Sequence, residues 1–232
     1  MSWLTCAAAD LLLGGRCVGC GEPGRPLCAR CRADLPSEAR PAWPDPVPDG
    51  LADPWACASY DGVARELVLG LKERQLLGLV APVASMLAAS VRAAATPGPV
   101  VLVPVPSRRA TVRARGHDPT WAITSKAARS LADMGHDVSA QRLLHLRPGV
   151  VDQAGLGAAE RATNLAGSMS CPATGLRRLA VRRRRVRAVV CDDVLTTGST
   201  AREAQRALEA VGLEVSAVAV VAATRRRSPR SV

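Results

Sequence analysis

One segment constrains the fold of this 232-residue chain more than any other: VRAVVCDDVLTTGSTAREAQRALEAVGLEVSAVAVVAAT, residues 186–224. Val186 to Cys191 is a β-rich apolar run and predicts a strand. Asp192 and Asp193 follow, then the loop Thr196-Thr197-Gly198-Ser199-Thr200. A helix is predicted onward through Val211, with Ala201, Ala204, Leu208 and Val211 on one face. Gly212 stops it, and residues 215–222 read as a second Val-rich strand. Strand, loop, helix and strand make one right-handed βαβ unit, which places the chain in the α/β class.

The loop in that unit has a chemistry of its own. A hydroxyl-rich turn at a helix N-terminus gathers unpaired backbone N–H groups and the positive end of the helix dipole, a ready seat for a phosphomonoester. Gly198 permits the tight turn, and the Thr and Ser hydroxyls add donors. Two carboxylates at the carboxyl end of the strand can accept from vicinal sugar hydroxyls, or approach a metal through water. A nucleotide-triphosphatase loop is excluded, because no G-x-x-x-x-G-K-[ST] occurs.

The rest of the chain supplies partners for that unit. Val63, Leu67 and Leu71 recur at helical spacing, a second Ala-rich helix is expected over 78–95, and TPGP at 96–99 ends it. Val100 to Val103 reads as a short buried parallel strand. Pro104 and Pro106 force an extended exit into Ser107, Arg108 and Arg109. Residues 110–118 read as a basic loop, and a helix follows from Pro119 to about Met134, with Pro at a first-turn position.

Eight cysteines must also be placed. Cys6, Cys57, Cys171 and Cys191 are scattered and read as small buried hydrophobes. Cys17, Cys20, Cys28 and Cys31 form C-x2-C-x7-C-x2-C, two knuckles that together complete a tetrahedron of thiolates. The residues between them, Gly19, Gly21, Pro23, Gly24 and Pro26, are turn formers. The reading is a structural Zn2+ site, closed to water by its four ligands, which folds its module rather than catalysing. Residues 36–56 are Pro-rich and read as a linker. The expected organisation is 1–35 an N-terminal helix and zinc module, 36–56 linker, 57–224 the α/β domain, and 225–232 a basic tail.

Charge narrows the function. The formal net charge is +11, but only Lys72 and Lys126 of the 31 basic residues are lysines. That skew reads as a coding bias toward Arg, so the charge favours anionic ligands without choosing one. Aromatics are 2% with no Phe, which excludes a base-stacking platform. The apolar stretch at 76–95 carries Pro82 and Arg92, so no membrane insertion is expected. The N-terminus lacks the basic region of a secretory signal, and the expected compartment is the cytoplasm.

With these residues in view, VVCDDVLTTGST resembles the phosphoribosyl-pyrophosphate (PRPP) signature of type I phosphoribosyltransferases. The wider pattern resembles the ComF family, associated with natural competence, in which a four-Cys zinc module precedes such a domain. Matching features run in the same order: the Cys knuckles, Tyr60-Asp61-Gly62, Leu71-Lys72, VPVPSRR at 103–109, RARGHD at 113–118, Gln153, Arg161, Asn164 and the signature loop. The resemblance covers residues 11–224. It implies a type I phosphoribosyltransferase-like fold, a twisted and mostly parallel sheet of about five strands flanked by helices.

The resemblance also implies roles. Asp192 and Asp193 would hold the ribose hydroxyls, and Thr196, Thr197, Gly198, Ser199 and Thr200 the 5-phosphate. Pro106, Ser107, Arg108 and Arg109 would form the pyrophosphate loop. Arg113 and Arg115 would close over the site, since their planar forks suit phosphate oxygens. Mg2+ would arrive with PRPP. Where family members often read R-G-F-N, this chain reads Arg115-Gly116-His117-Asp118, which brings a carboxylate into that loop. The expected function is transfer of phosphoribosyl to an acceptor with release of pyrophosphate. The alternative implied by the family is a DNA-handling accessory protein. In that case the zinc module and an Arg surface made of Arg177, Arg178, Arg187 and the Arg runs at 182–185 and 225–227 would bind single-stranded DNA, and the PRPP site would be a sensor or a relic.

Overall fold

The structure is a computed structural model, and it describes residues 15–147, 167–173, 176 and 186–224. Its strands in chain order are β1 (Arg40–Pro41), β2 (Pro54–Ser59), β3 (Val100–Pro104), β4 (Val138–Ala140), β5 (His145–Leu146), β6 (Met169–Ser170), β7 (Arg187–Leu195) and β8 (Val215–Ala223). Six of them form one sheet in the order β1-β2-β8-β7-β3-β4, while β5 and β6 pair separately. β1 runs antiparallel to β2, and every other pairing in the main sheet is parallel. The α/β class and the mostly parallel sheet read from the sequence are both present.

Helices α1 (Ala29–Ala33), α2 (Gly62–Lys72), α3 (Val80–Ala93), α4 (Arg109–Arg115), α5 (Pro119–Asp133) and α6 (Ser199–Glu209), with a 3-10 turn at Leu77–Leu79, complete the described elements. Strand alternation sorts them into layers. Val100, Leu102, Val189, Cys191, Ala219 and Val221 face the cluster containing α2, α3 and α5. Val101, Val103, Ala188, Val190, Val218 and Val220 face α6. With no Phe available, this core is closed by small residues: Ala84 and Ala88 of α3 and Ala127 and Ala128 of α5 are all buried.

Handedness follows from the layers. β3 leads through α5 to β4 on one side, and β7 leads through α6 to β8 on the other. Right-handed crossovers running in opposite directions must place their helices on opposite faces, as observed. β3 and β7 are neighbours, so a crevice opens between the connections that leave their carboxyl ends. In open α/β sheets that switch point is where ligands bind.

Three local differences from the sequence reading bear on the site. Residues 109–115 form helix α4 rather than a loop, because RATVRAR contains no Gly or Pro until Gly116, at φ +69°, ends it. β7 continues through Asp192 and Asp193 to Leu195, since β8 goes on pairing with it after β3 has ended at the level of Cys191. α6 ends at Glu209, so Val211 lies past the helix and is exposed.

The Pro-rich stretch at 36–56 also carries structure. It supplies β1 and the start of β2, and its middle straps α6. Arg202 Nε donates to Asp49 O (2.8 Å), Gln205 Nε2 to Gly50 O (2.9 Å), and Ala52 N donates back to Gln205 Oε1 (2.9 Å).

Candidate functional site

Two clusters stand out, and the first is the four cysteines. All four sulfurs lie within 4.8 Å of one another. A tetrahedral ion with metal–sulfur bonds of about 2.3 Å spaces its ligands by about 3.8 Å, and Cys20 Sγ and Cys28 Sγ are 3.7 Å apart. The donor set and spacing fit, so these residues can hold a metal ion such as zinc. The knuckle at Cys17 is built by Gly21 N donating to Cys17 O (2.8 Å). Gly19 is required there, because a Cβ would come within 2.9 Å of Cys31 Sγ.

The thiols perturb one another as clustered ligands should. Burial disfavours the Cys17 thiolate, yet backbone N–H groups of Cys28, Cys20 and Gly19 outweigh it and bring its pKa down to about 6. Burial and the three neighbouring thiols push Cys31 up to about 12. The module also shares its packing with the larger part of the chain: Cys17, Leu27 and Cys31 belong to the same buried cluster as Ala64 and Leu67 of α2.

The second cluster lies at the carboxyl ends of β7 and β3. Asp193 is in phase with Val189 and Cys191, so it turns toward α2, whose last residue, Lys72, forms an ion pair with Asp193 Oδ2. The Asp193 side chain is 6% exposed and that of Lys72 32%. Burial works against the Lys72 ammonium, but the charges of Asp193 and Asp192 overcome it and hold its pKa above the ordinary value. Asp192 is partly buried and points the other way, and its Oδ1 accepts from Asp193 N (2.9 Å). Burial first, and the adjacent Asp193 second, push the Asp192 carboxyl well above the usual range.

Beyond Leu195 the chain turns through Thr196 and Thr197 into α6. Gly198 sits at φ +77°, and a Cβ there would approach Pro44, Leu51 and Pro48 at 3.1–3.2 Å. The residue is needed for both its backbone and its missing side chain. Thr197 Oγ1 and Ser199 Oγ are hydrogen-bonded at 3.1 Å. First-turn amides of a helix have no intrahelical acceptor, so those of α6 are directed at this turn. Glu203 anchors the helix from below. Its buried carboxylate accepts Met169 N (2.9 Å) and both Arg206 Nε (2.7 Å) and Nη2 (2.9 Å).

Facing this turn across the switch point is the exit of β3. Val105 N donates to Cys191 O (2.8 Å), which fixes the exit level with the start of the carboxylate pair. Ser107 Oγ donates to Asp118 Oδ1 (3.1 Å), Arg108 is the N-cap of α4, and Arg109 is its first residue. The two arginines expected to act together are separated. Arg115 Nη2 is held by Glu73 Oε1 (2.7 Å), while Arg113 lines a cavity near Ser107. His117 fastens the same segment to α2, with Nε2 3.2 Å from Leu71 O.

Asp118, the departure from R-G-F-N, does not stand free in the loop. It caps α5 by accepting from Trp121 N (3.2 Å), and Arg142 neutralises it at 3.3 Å. Arg142 in turn lies over the Trp121 ring, 4.7 Å from its centre. Arg187, one of the arginines proposed for DNA, pairs with Glu214 at 2.9 Å. Gln153, Arg161, Asn164, Arg177, Arg178 and the runs at 182–185 and 225–227 lie outside the described residues.

Sequence reading did not assign roles to Lys72, Asp118, Arg142 or Trp121. Lys72 carried a usable signal, as one of two lysines in an Arg-rich chain and the last residue of an amphipathic helix. The other three meet only through tertiary folding. No helix among the described residues is long and apolar enough to cross a membrane. No family model matches this chain, and no curated protein matches it.

Proposed function

We propose that this protein is a type I phosphoribosyltransferase-like enzyme of the ComF kind, binding PRPP at the β3–β7 switch point and carrying a structural zinc ion in its four-Cys module. The observation that carries the reading is the Asp192–Asp193 pair and the Thr196–Thr200 turn at the end of β7, opposite the Ser107–Arg109 turn that leaves β3. Together they offer acceptors for vicinal hydroxyls and two separate groups of donors for phosphates, the demands that PRPP makes.

The reaction needs no protein nucleophile. The bond from ribose C1 to pyrophosphate breaks, and a nitrogen nucleophile takes its place. Catalysis lies in neutralising the leaving charge and fixing the sugar. Thr196 to Thr200 bind the 5-phosphate, with Gly198 giving the turn its curvature. Asp192 and Asp193 accept the ribose hydroxyls, and the ion pair with Lys72 fixes Asp193 in place. Arg108, Arg109 and Arg113 stabilise the departing pyrophosphate, and Arg115 joins them on leaving Glu73. Mg2+, when bound, neutralises pyrophosphate oxygens, and Asp192 is the carboxylate of the pair that Lys72 does not hold.

The test is calorimetric titration of the zinc-loaded chain with PRPP and Mg2+, beside an Asp192→Asn/Asp193→Asn variant. Binding in the wild type that disappears in the variant is the expected result, and it opens a screen of amines and bases for pyrophosphate release. No heat and no thermal shift in the wild type would overturn the reading.

A further inference from the structure

A separate cavity of about 380 Å³ opens beside the exit of β3, on the α6 side of the sheet. Its volume lies within the range of small-molecule sites, roughly 300 Å³ upward. It shares Ser107 and Arg109 with the turn discussed above but includes neither Asp192, Asp193 nor the Thr196–Thr200 turn.

Its walls divide by chemistry. Arg109 and Arg113, one helical turn apart on α4, both line it, and their side chains have no ion-pair partner among the described residues. Arg142 lines it too, but is already oriented by Asp118 and by the Trp121 ring. Three guanidinium groups therefore face one carboxylate, a surplus of positive charge that only an anion would balance. Apolar lining comes from Val112, Leu144, Leu146 and the exit at residues 104–106, and His145 adds a polar ring at the same wall.

We infer that this cavity binds a small organic anion with a flat apolar body, of the aromatic-carboxylate class. A carboxylate pairs with the Arg forks in two parallel hydrogen bonds. The ring covers Leu144 and Leu146, and it gains apolar burial that inorganic phosphate has no means to collect. Arg142 is pre-oriented, so little ordering cost falls on the ligand, while Arg109 and Arg113 supply the adaptable contacts. The inference does not depend on PRPP binding, although the two sites share Ser107, Arg109 and Arg113.

The test uses benzoate and pyridine-3-carboxylate as probes, with benzamide and inorganic pyrophosphate as controls, titrated into the full zinc-loaded chain. Affinity is read by ligand-observed NMR. Both carboxylates should bind more tightly than benzamide. Arg113→Gln, at an exposed position without a partner, should weaken them by about tenfold or more, the loss expected for one charged hydrogen-bonding group. Arg142→Gln should weaken them as well. The Asp192→Asn/Asp193→Asn variant should bind them as the wild type does, which separates this site from the proposed PRPP site. Carboxylate binding in a wild type that ignores PRPP would support this inference and sink the other. Equal affinity for benzamide, an Arg113→Gln variant indistinguishable from wild type, or pyrophosphate binding that excludes every carboxylate would each overturn it.

Discussion

The four-Cys module and the carboxylate pair solve the same electrostatic problem in opposite ways. Four thiols are gathered within one ion's reach, and what the described residues set against their charge is backbone N–H groups at Cys17 and the exposed guanidinium of Arg30, beside Cys20. Asp192 and Asp193 are also like groups forced together, but Lys72 is built in beside them as a counter-ion. On the proposed reading, a site with a resident zinc ion can leave its ligands uncompensated, because such an ion would be bound whenever the chain is folded. A site that fills and empties must be tolerable when empty. The contrast distinguishes a resident group from a visiting one.

The largest expected effect tests the first half of that contrast. Cys28→Ser/Cys31→Ser should abolish stoichiometric zinc, measured by elemental analysis. Because Cys17 and Cys31 share a buried cluster with α2, the melting temperature of the whole chain should fall by at least about 10 °C. Loss of zinc without loss of stability would mean that the module is an appendage.

Lys72→Ala tests the second half. It strands Asp193 almost fully buried, and should cost about 3 kcal/mol in chemical denaturation. That is the low end for breaking a buried pair, since Lys72 itself keeps some contact with water. Lys72→Arg should recover part of the loss. If Lys72→Ala unfolds at the wild-type denaturant concentration, the counter-ion idea is wrong.

A smaller loss is expected at the turn. Gly198→Ala meets both a positive φ and three close neighbours, and should cost about 2 kcal/mol. The strap at Pro44, Pro48 and Leu51 should loosen with it, read as faster amide exchange over residues 49–52.

The smallest effect has the opposite sign. Asp192 has its pKa raised in the folded chain, so folding favours its protonated form, and its ionisation costs stability as pH rises from about 3.8 upward. Asp192→Asn should therefore stabilise the protein near neutrality by about 1 kcal/mol, or about 2–4 °C. The gain should vanish below pH 3.8, where Asp192 is protonated in both states. The same substitution should remove PRPP binding. A destabilised Asp192→Asn at pH 7 would show that the folded chain favours the Asp192 carboxylate rather than penalising it.

How much of this was legible in the sequence depended on how local the cause was. The βαβ unit, the Pro-started helix α5 and the cysteine cluster rest on periodicity, a terminal signal and fixed spacing, and all three are present in the fold. The helix over 109–115 was obscured because its Arg-rich, polar surface gives no amphipathic pattern, and only the position of Gly116 hints at its end. Asp192 and Asp193 fell outside the predicted strand because polar residues normally mark a strand's end. Here β8 carries the pairing past them. The Lys72 contact to Asp193 spans more than a hundred residues, and no local pattern encodes such a distance.

Three consecutive residues at the end of α2 reach two different parts of the molecule. The Leu71 carbonyl meets His117, Lys72 meets Asp193, and Glu73 meets Arg115. The helix end is thus a shared anchor for the basic segment after β3 and the acidic pair on β7. The positive and negative halves of this crevice are pinned to a single turn of helix.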